Sequence, residues 1–160
     1  MQPRWQTWPV HVSAKVDYAL RALVTLAAAG GGPLKAETMA AAQGMPVNFL
    51  ENILGDLRRA GLLATQRGAE GGYRLARPPS AISLADVVRP LDGPLAAVRG
   101  VRPEDLEYLE PTQHLRDVWV AVRASLRSVL EEVTLQDVAT GRLPRRVTRL
   151  TEGDEAWRSH

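Results

Sequence analysis

The strongest periodicity in the chain runs from Val47 to Arg59. At about 100° per residue, Phe49, Leu50, Ile53, Leu54 and Leu57 fall on one broad arc, and Asn48, Glu51, Asn52, Gly55 and Arg59 fall on the other. Pro46 suits the first turn of such a helix and Gly61 a C-terminal cap. The pattern then shortens to two strand-like runs, Leu62 to Arg67 and Tyr73 to Arg77. Between them lies Gly68-Ala69-Glu70-Gly71-Gly72, a turn able to take positive φ at several glycines. Upstream, Val16, Leu20, Leu23, Val24 and Ala27 recur at helical steps behind Ser13, which suits an N-cap. Gly30-Gly31-Gly32-Pro33 stops that helix near Ala29. Lys35 to Gln43 reads as a short alanine-rich helix closed by Gly44, and Gly44-Met45-Pro46-Val47 is the turn into the helix described first. Three helices packed on one another, followed by a basic glycine-rich hairpin, are the order of a winged helix-turn-helix. The fold class is therefore mainly α with a small β-hairpin, plus a long C-terminal dimerisation helix.

That last helix is written in the second half. Pro78-Pro79 breaks the chain, and Ser83 with Asp86 forms a capping box, with Ile82 placed to staple onto Val87. Asp92-Gly93-Pro94 ends this helix, and the connection to residue 111 carries Glu104, Asp105, Glu107 and Glu110 without clear periodicity. From Thr112 to Val133, Leu115, Trp119, Val122, Leu126, Val129 and Val133 alternate four- and three-residue steps, with Val118 and Leu130 widening the stripe. A helix over this stretch would be about 33 Å long, more than a domain this small covers, so these residues are expected to form a homodimer interface. Thr134-Leu135-Gln136-Asp137 opens a short final helix closed by Gly141. The expected organisation is a flexible arm at 1–12, a winged helix-turn-helix DNA-binding domain at 13–79, and a connecting helix with a candidate sensor loop at 80–111. A dimerisation helix with a short terminal helix at 112–143 and a flexible tail at 144–160 complete it.

Charge sharpens the reading. The net charge of the 160 residues is only +2, yet residues 1–80 hold nine Lys/Arg against five Asp/Glu, and residues 81–160 hold eleven against thirteen. The basic excess sits with the polar-faced helix, as expected of a nucleic-acid binder. The chain has no cysteine, which excludes disulfides, thiolate catalysis, thiol redox sensing and all-cysteine metal or iron–sulfur sites. No apolar run is long enough to span a bilayer and no signal peptide is evident, so a cytoplasmic protein is expected. His11, His114 and His160 are its histidines, and no nucleophile–base spacing, phosphate loop or metal-ligand pair appears, so an enzyme is not expected. The acidic group near His114 reads as a solvated turn, not a divalent-ion site.

Asn48 and Asn52 can pair bidentately with adenine, and Glu51 can accept from cytosine N4 or instead pair with a nearby arginine. Arg58, Arg59, Arg67 and Arg74 are candidates for phosphate neutralisation. Arg67, followed by Gly68, can enter a narrow minor groove. Lys15, near a helix start, can reach a phosphate, whereas Arg21 is expected to be merely solvated and Tyr73 to pack. Thr38, Val47 and Phe49 complete the candidate DNA-contacting set. A winged helix that binds protein and ignores DNA sequence is the alternative.

Tyr18-Ala19-Leu20-Arg21-Ala22-Leu23, Phe49-Leu50-Glu51-Asn52-Ile53-Leu54, Ala60-Gly61-Leu62-Leu63, the run Arg67 to Pro78 and Ile82-Ser83-Leu84-Ala85-Asp86-Val87 resemble the Rrf2-type transcription regulators. The resemblance spans roughly Ser13 to Leu143 in order. It implies a homodimer, a recognition helix whose start at Asn48, Phe49, Glu51 and Asn52 faces bases, and a wing tip at Arg67 and Gly68 near the minor groove. Many relatives hold an iron–sulfur cluster on three cysteines in the connection that here spans 92–111, and this chain has none of them. His114 lies near where some relatives place a nitrogen ligand, although alignment on Trp119 puts Arg116 closer. Neither a cluster nor any other cofactor is expected. What the resemblance then implies is a cysteine-free repressor of a palindromic operator, modulated by a small molecule or a protein partner.

Overall fold

The computed structural model describes residues 12–159, so the arm expected at 1–12 lies, apart from Val12, outside the described residues. Helix α1 spans Ala14–Ala28, and the Ser13 hydroxyl accepts from the Val16 N–H at 3.2 Å, the cap its sequence predicts. Helix α2, Ala36–Gln43, ends at Gly44 in the left-handed region, φ 62°. Helix α3, Val47–Arg59, buries Leu50, Ile53, Leu54 and Leu57 and leaves Asn48, Glu51 and Asn52 exposed. Pro46 is its N-cap residue, one position before the first turn where the sequence suggested it, and Phe49 departs from the buried arc with 41% of its surface exposed.

Strands β1, Leu63–Gln66, and β2, Gly72–Leu75, pair antiparallel with Leu63 opposite Leu75 and Gln66 opposite Gly72. The α1–α2 linker adds a third edge to the wing. Leu34 and Tyr73 exchange backbone hydrogen bonds at 2.9 and 2.7 Å, and the Leu75 N–H donates to the Gly31 carbonyl at 2.9 Å. Gly72 takes φ +147°, and a Cβ there would stand 2.4 Å from the Leu34 carbonyl oxygen, so only glycine passes. A single bridged residue leaves no alternation, so in the sequence the linker reads only as a helix stop.

Helix α4, Leu84–Asp92, begins with the expected Ser83–Asp86 capping box. Helix α6, Leu135–Thr140, begins with the Thr134–Asp137 box and ends at Gly141. The Leu84 N–H donates to the Val133 carbonyl at 2.9 Å and the Leu135 N–H to the Ile82 carbonyl at 3.0 Å, joining the two helix starts. The core is consequently larger than the three-helix unit expected. Ile82, Val87 and Leu135 are fully buried with Leu23, Leu26, Leu50 and Leu57, and α6 lies along α1.

Two expectations require correction. Helix α5 runs Leu115–Leu130, 16 residues, instead of the whole of 112–133, and is therefore about 24 Å long. It stops where residues 131–133 turn so that Thr134 can cap α6. Val133, expected on the dimer seam, lies beyond the helix and is 3% exposed inside its own chain. The tail expected to be flexible contains α7, Arg145–Leu150, with Pro144 as N-cap residue, and a short 3-10 turn, Asp154–Trp157. Neither buries a residue, so no apolar periodicity could have announced them.

Candidate nucleic-acid interface

The free face of α3 is held outward by contacts on its flanks. Tyr18 of α1 meets Phe49 edge to face, ring centroids 5.4 Å apart at 80°, and pins the first turn of α3. At the other end Lys15 lies 2.7 Å from Asp56, which Arg59 also engages. The Lys15 ammonium, then the Arg59 guanidinium, holds the Asp56 carboxyl below its ordinary pKa. Arg21 lies over the Tyr18 ring and donates to the Gln43 carbonyl, an otherwise open acceptor at the C-terminus of α2. Arg21 is thus not merely solvated; it ties α1 to the turn between α2 and α3.

The expected DNA-contacting residues therefore divide. Asn48, Glu51 and Asn52 stand exposed on one face, with Gly55 at its centre and Phe49 at its edge. Glu51 makes no ion pair among the described residues, so the pairing with a neighbouring arginine is not formed. Val47 is half-buried at the start of the helix, and Thr38 is exposed on α2. Arg58, Arg67 and Arg74 are exposed and have no carboxylate partner among the described residues. Arg67 leads into the wing loop ahead of Gly68, whose φ is 104°, and Arg74 projects from β2 opposite Ala64. Lys15 and Arg59 differ: both are committed to Asp56 and bring less free charge to the face than their residue types suggest. Tyr73 is half-buried against the core, as expected. Sequence reasoning missed Tyr18 and Asp56. Nothing in the spacing separates Asp56, which two cations engage, from Glu51 on the same helix, which none among the described residues engages.

The expected dimer residues lie along α5, where no residue is fully buried. Leu115 and Val118 are 39% and 50% exposed. Val122, Leu126, Val129 and Leu130 are half-buried, and Trp119 donates its indole N–H to the Tyr108 hydroxyl at 3.0 Å. Trp119 thus ties α5 to its own connection. Two members of the acidic turn are engaged by cations: Arg123 engages Glu104, and Arg102 lies 3.0 Å from Asp105.

A family model described as Rrf2, iron-dependent transcriptional regulator, matches residues 12–141. A candidate HTH-type transcriptional regulator of Mycobacterium tuberculosis is 54% identical over 151 residues, covering 94% of each chain. The HTH-type transcriptional regulator CymR of Bacillus subtilis is 36% identical over 130 residues, 81% of this chain and 89% of that one. Among solved structures, CymR, the global cysteine regulator of B. subtilis, superposes with a TM-score of 0.71 at 33% identity, covering 83% of this chain and 98% of that one. T. potens IscR superposes with a TM-score of 0.67 at 31% identity, covering 88% and 96%. The donor set here does not fit an iron–sulfur cluster. The chain has no cysteine, and among the described residues no three His, Asp or Glu are grouped to hold a metal ion.

Proposed function

This chain belongs to the Rrf2 family of DNA-binding transcription regulators, and we propose that within it the protein is a cytoplasmic repressor acting as a homodimer on a palindromic operator. The observation that carries the proposal is the exposed amide-and-carboxylate face of α3 beside a wing whose Arg67 and Arg74 have no carboxylate partner among the described residues. Asn48, Glu51 and Asn52 offer both donor and acceptor groups to base edges. Arg58, Arg67 and Arg74 supply the sequence-independent attraction to phosphates. The absence of any fully buried residue on α5 supports the dimer, because its half-covered apolar stripe needs a partner, and a second copy would present two recognition helices to half-sites one turn, about 34 Å, apart. Leu115, Val118, Trp119, Val122, Leu126, Val129 and Leu130 form that interface; Val133 is withdrawn from it.

The connection at 92–111 adjoins both α4 and α5, so a small molecule or partner protein bound there would alter the spacing of the two recognition helices. No helix among the described residues is long and apolar enough to cross a membrane. The test is binding of the purified chain to fragmented genomic DNA, with light scattering for its mass. Recovery of one inverted-repeat motif by a dimer supports the proposal. Binding without sequence preference that vanishes at moderate salt refutes it and favours a protein-interaction module.

A further inference from the structure

Between α4, the connection and one side of α5 lies a cleft of ≈ 390 Å³ whose charged lining is Arg89, Arg102, Arg123, Arg127 and Glu104. The guanidiniums reach it from three elements: Arg89 from α4, Arg102 from the connection, and Arg123 with Arg127 one turn apart on α5. Three carboxylates partly balance them. Glu104 engages Arg123 and lies 3.9 Å from Arg102; Asp105 takes Arg102 at 3.0 Å; Glu131 takes Arg127 at 2.9 Å and engages Arg89. Four cations against three anions leave one positive charge. Donors are in larger surplus, since a guanidinium carries five N–H groups and these contacts use one nitrogen on each. Arg123 is the fixed member, its side chain 19% exposed against 43% for Arg89, 50% for Arg127 and 62% for Arg102.

Forks converging from several elements match oxyanions bidentately. We propose that this cleft binds a small metabolite carrying two negative charges on oxyanion groups, a phosphate monoester or a dicarboxylate, with Arg123, Arg127 and Arg102 as its donors. The anion replaces Glu104 on Arg123 and adds a bridge between the connection and α5. The site deepens the reading of the connection as the input of a DNA-binding dimer and rests on that reading for its consequence, though not for binding itself.

The test uses the full chain with inorganic phosphate, succinate, and potassium chloride at matched ionic strength, read by calorimetric titration and thermal melting. At 100-fold excess over Kd, the bound anion raises the melting temperature by about 5 °C or more, and chloride does not. Arg123→Gln and Arg102→Gln each weaken binding about tenfold, while Arg146→Gln, on α7, leaves it unchanged. A response to phosphate alone, or to succinate alone, supports the site and assigns the ligand class. Equal shifts with chloride, no binding of either probe, or full affinity in Arg102→Gln overturns it; because Arg102 is exposed, this variant decides even if Arg123→Gln fails to fold. A chain that binds the anion but no operator supports the site and sinks the operator reading. One that binds its operator but neither probe overturns the site alone.

Discussion

Gly55 sits at the centre of the exposed face of α3, where glycine is the wrong residue for helix stability. A mid-helix glycine costs about 1 kcal/mol relative to alanine. The structure offers no steric reason for it: a Cβ at this position would meet only the Arg59 guanidinium, at 3.5 and 3.9 Å, the far end of a flexible side chain. Gly55→Ala should therefore stabilise the chain by about 1 kcal/mol, a rise of about 2–4 °C in Tm for a domain of this size. If α3 enters the major groove by this face, the added methyl stands where the helix approaches the DNA most closely. Operator affinity should then fall about tenfold, the equivalent of about 1.4 kcal/mol. Urea unfolding followed by circular dichroism measures the first effect, and fluorescence anisotropy with labelled operator measures the second. Stabilisation with undiminished affinity would refute the docking of this face; no stabilisation would refute the propensity argument.

Arg67→Ala should weaken operator binding and reduce the slope of log K against log salt by about one unit, measured by anisotropy across a salt series; unchanged values would remove the wing contact. Gly72→Ala, whose Cβ would lie 2.4 Å from the Leu34 carbonyl oxygen, should cost more than about 2 kcal/mol in urea unfolding. Val118→Asp should give a folded monomer by light scattering, whereas Val133→Asp, at a site 3% exposed, should abolish folding in either state. Three carboxyls are held below their ordinary pKa: Asp56 by Lys15 and then Arg59, Glu104 by its own backbone N–H and then Arg123, and Glu131 by Arg127 and then Arg89. A lowered folded-state value means stability present above the unfolded carboxylate range and lost as pH falls through the folded values. The urea midpoint should thus hold from pH 7 to about 5 and decline below about 4, modestly because none of the three groups is buried.

The winged helix-turn-helix half was legible because its signals are local. Period, caps and glycines located α1, α2, α3, the hairpin and both capping boxes to within a residue or two. What escaped depends on contacts between distant segments. Leu34 on the wing edge, Arg21 on the Gln43 carbonyl and Lys15 on Asp56 are pairings that no periodicity encodes. The end of α5 was misplaced because Val133 fits both the heptad spacing and the buried site beneath the α4–α6 junction. Apolar spacing alone cannot distinguish these two uses. Arginine-lined surfaces are equally opaque, since Arg89, Arg102 and Arg123 lie far apart in sequence and meet only through the fold.

The backbone bonds between Ile82 and Leu135 and between Leu84 and Val133 have an architectural consequence. Helix α4 stays packed on α1 and α3 with Val87 fully buried, so what projects from the body is the stretch from Gly93 to Leu130, which the latch returns to the foot of α4. Such a segment can be lengthened, shortened or swapped for another chemistry while the reading head keeps its shape. If that stretch carries the input proposed above, the latch makes it an interchangeable cassette.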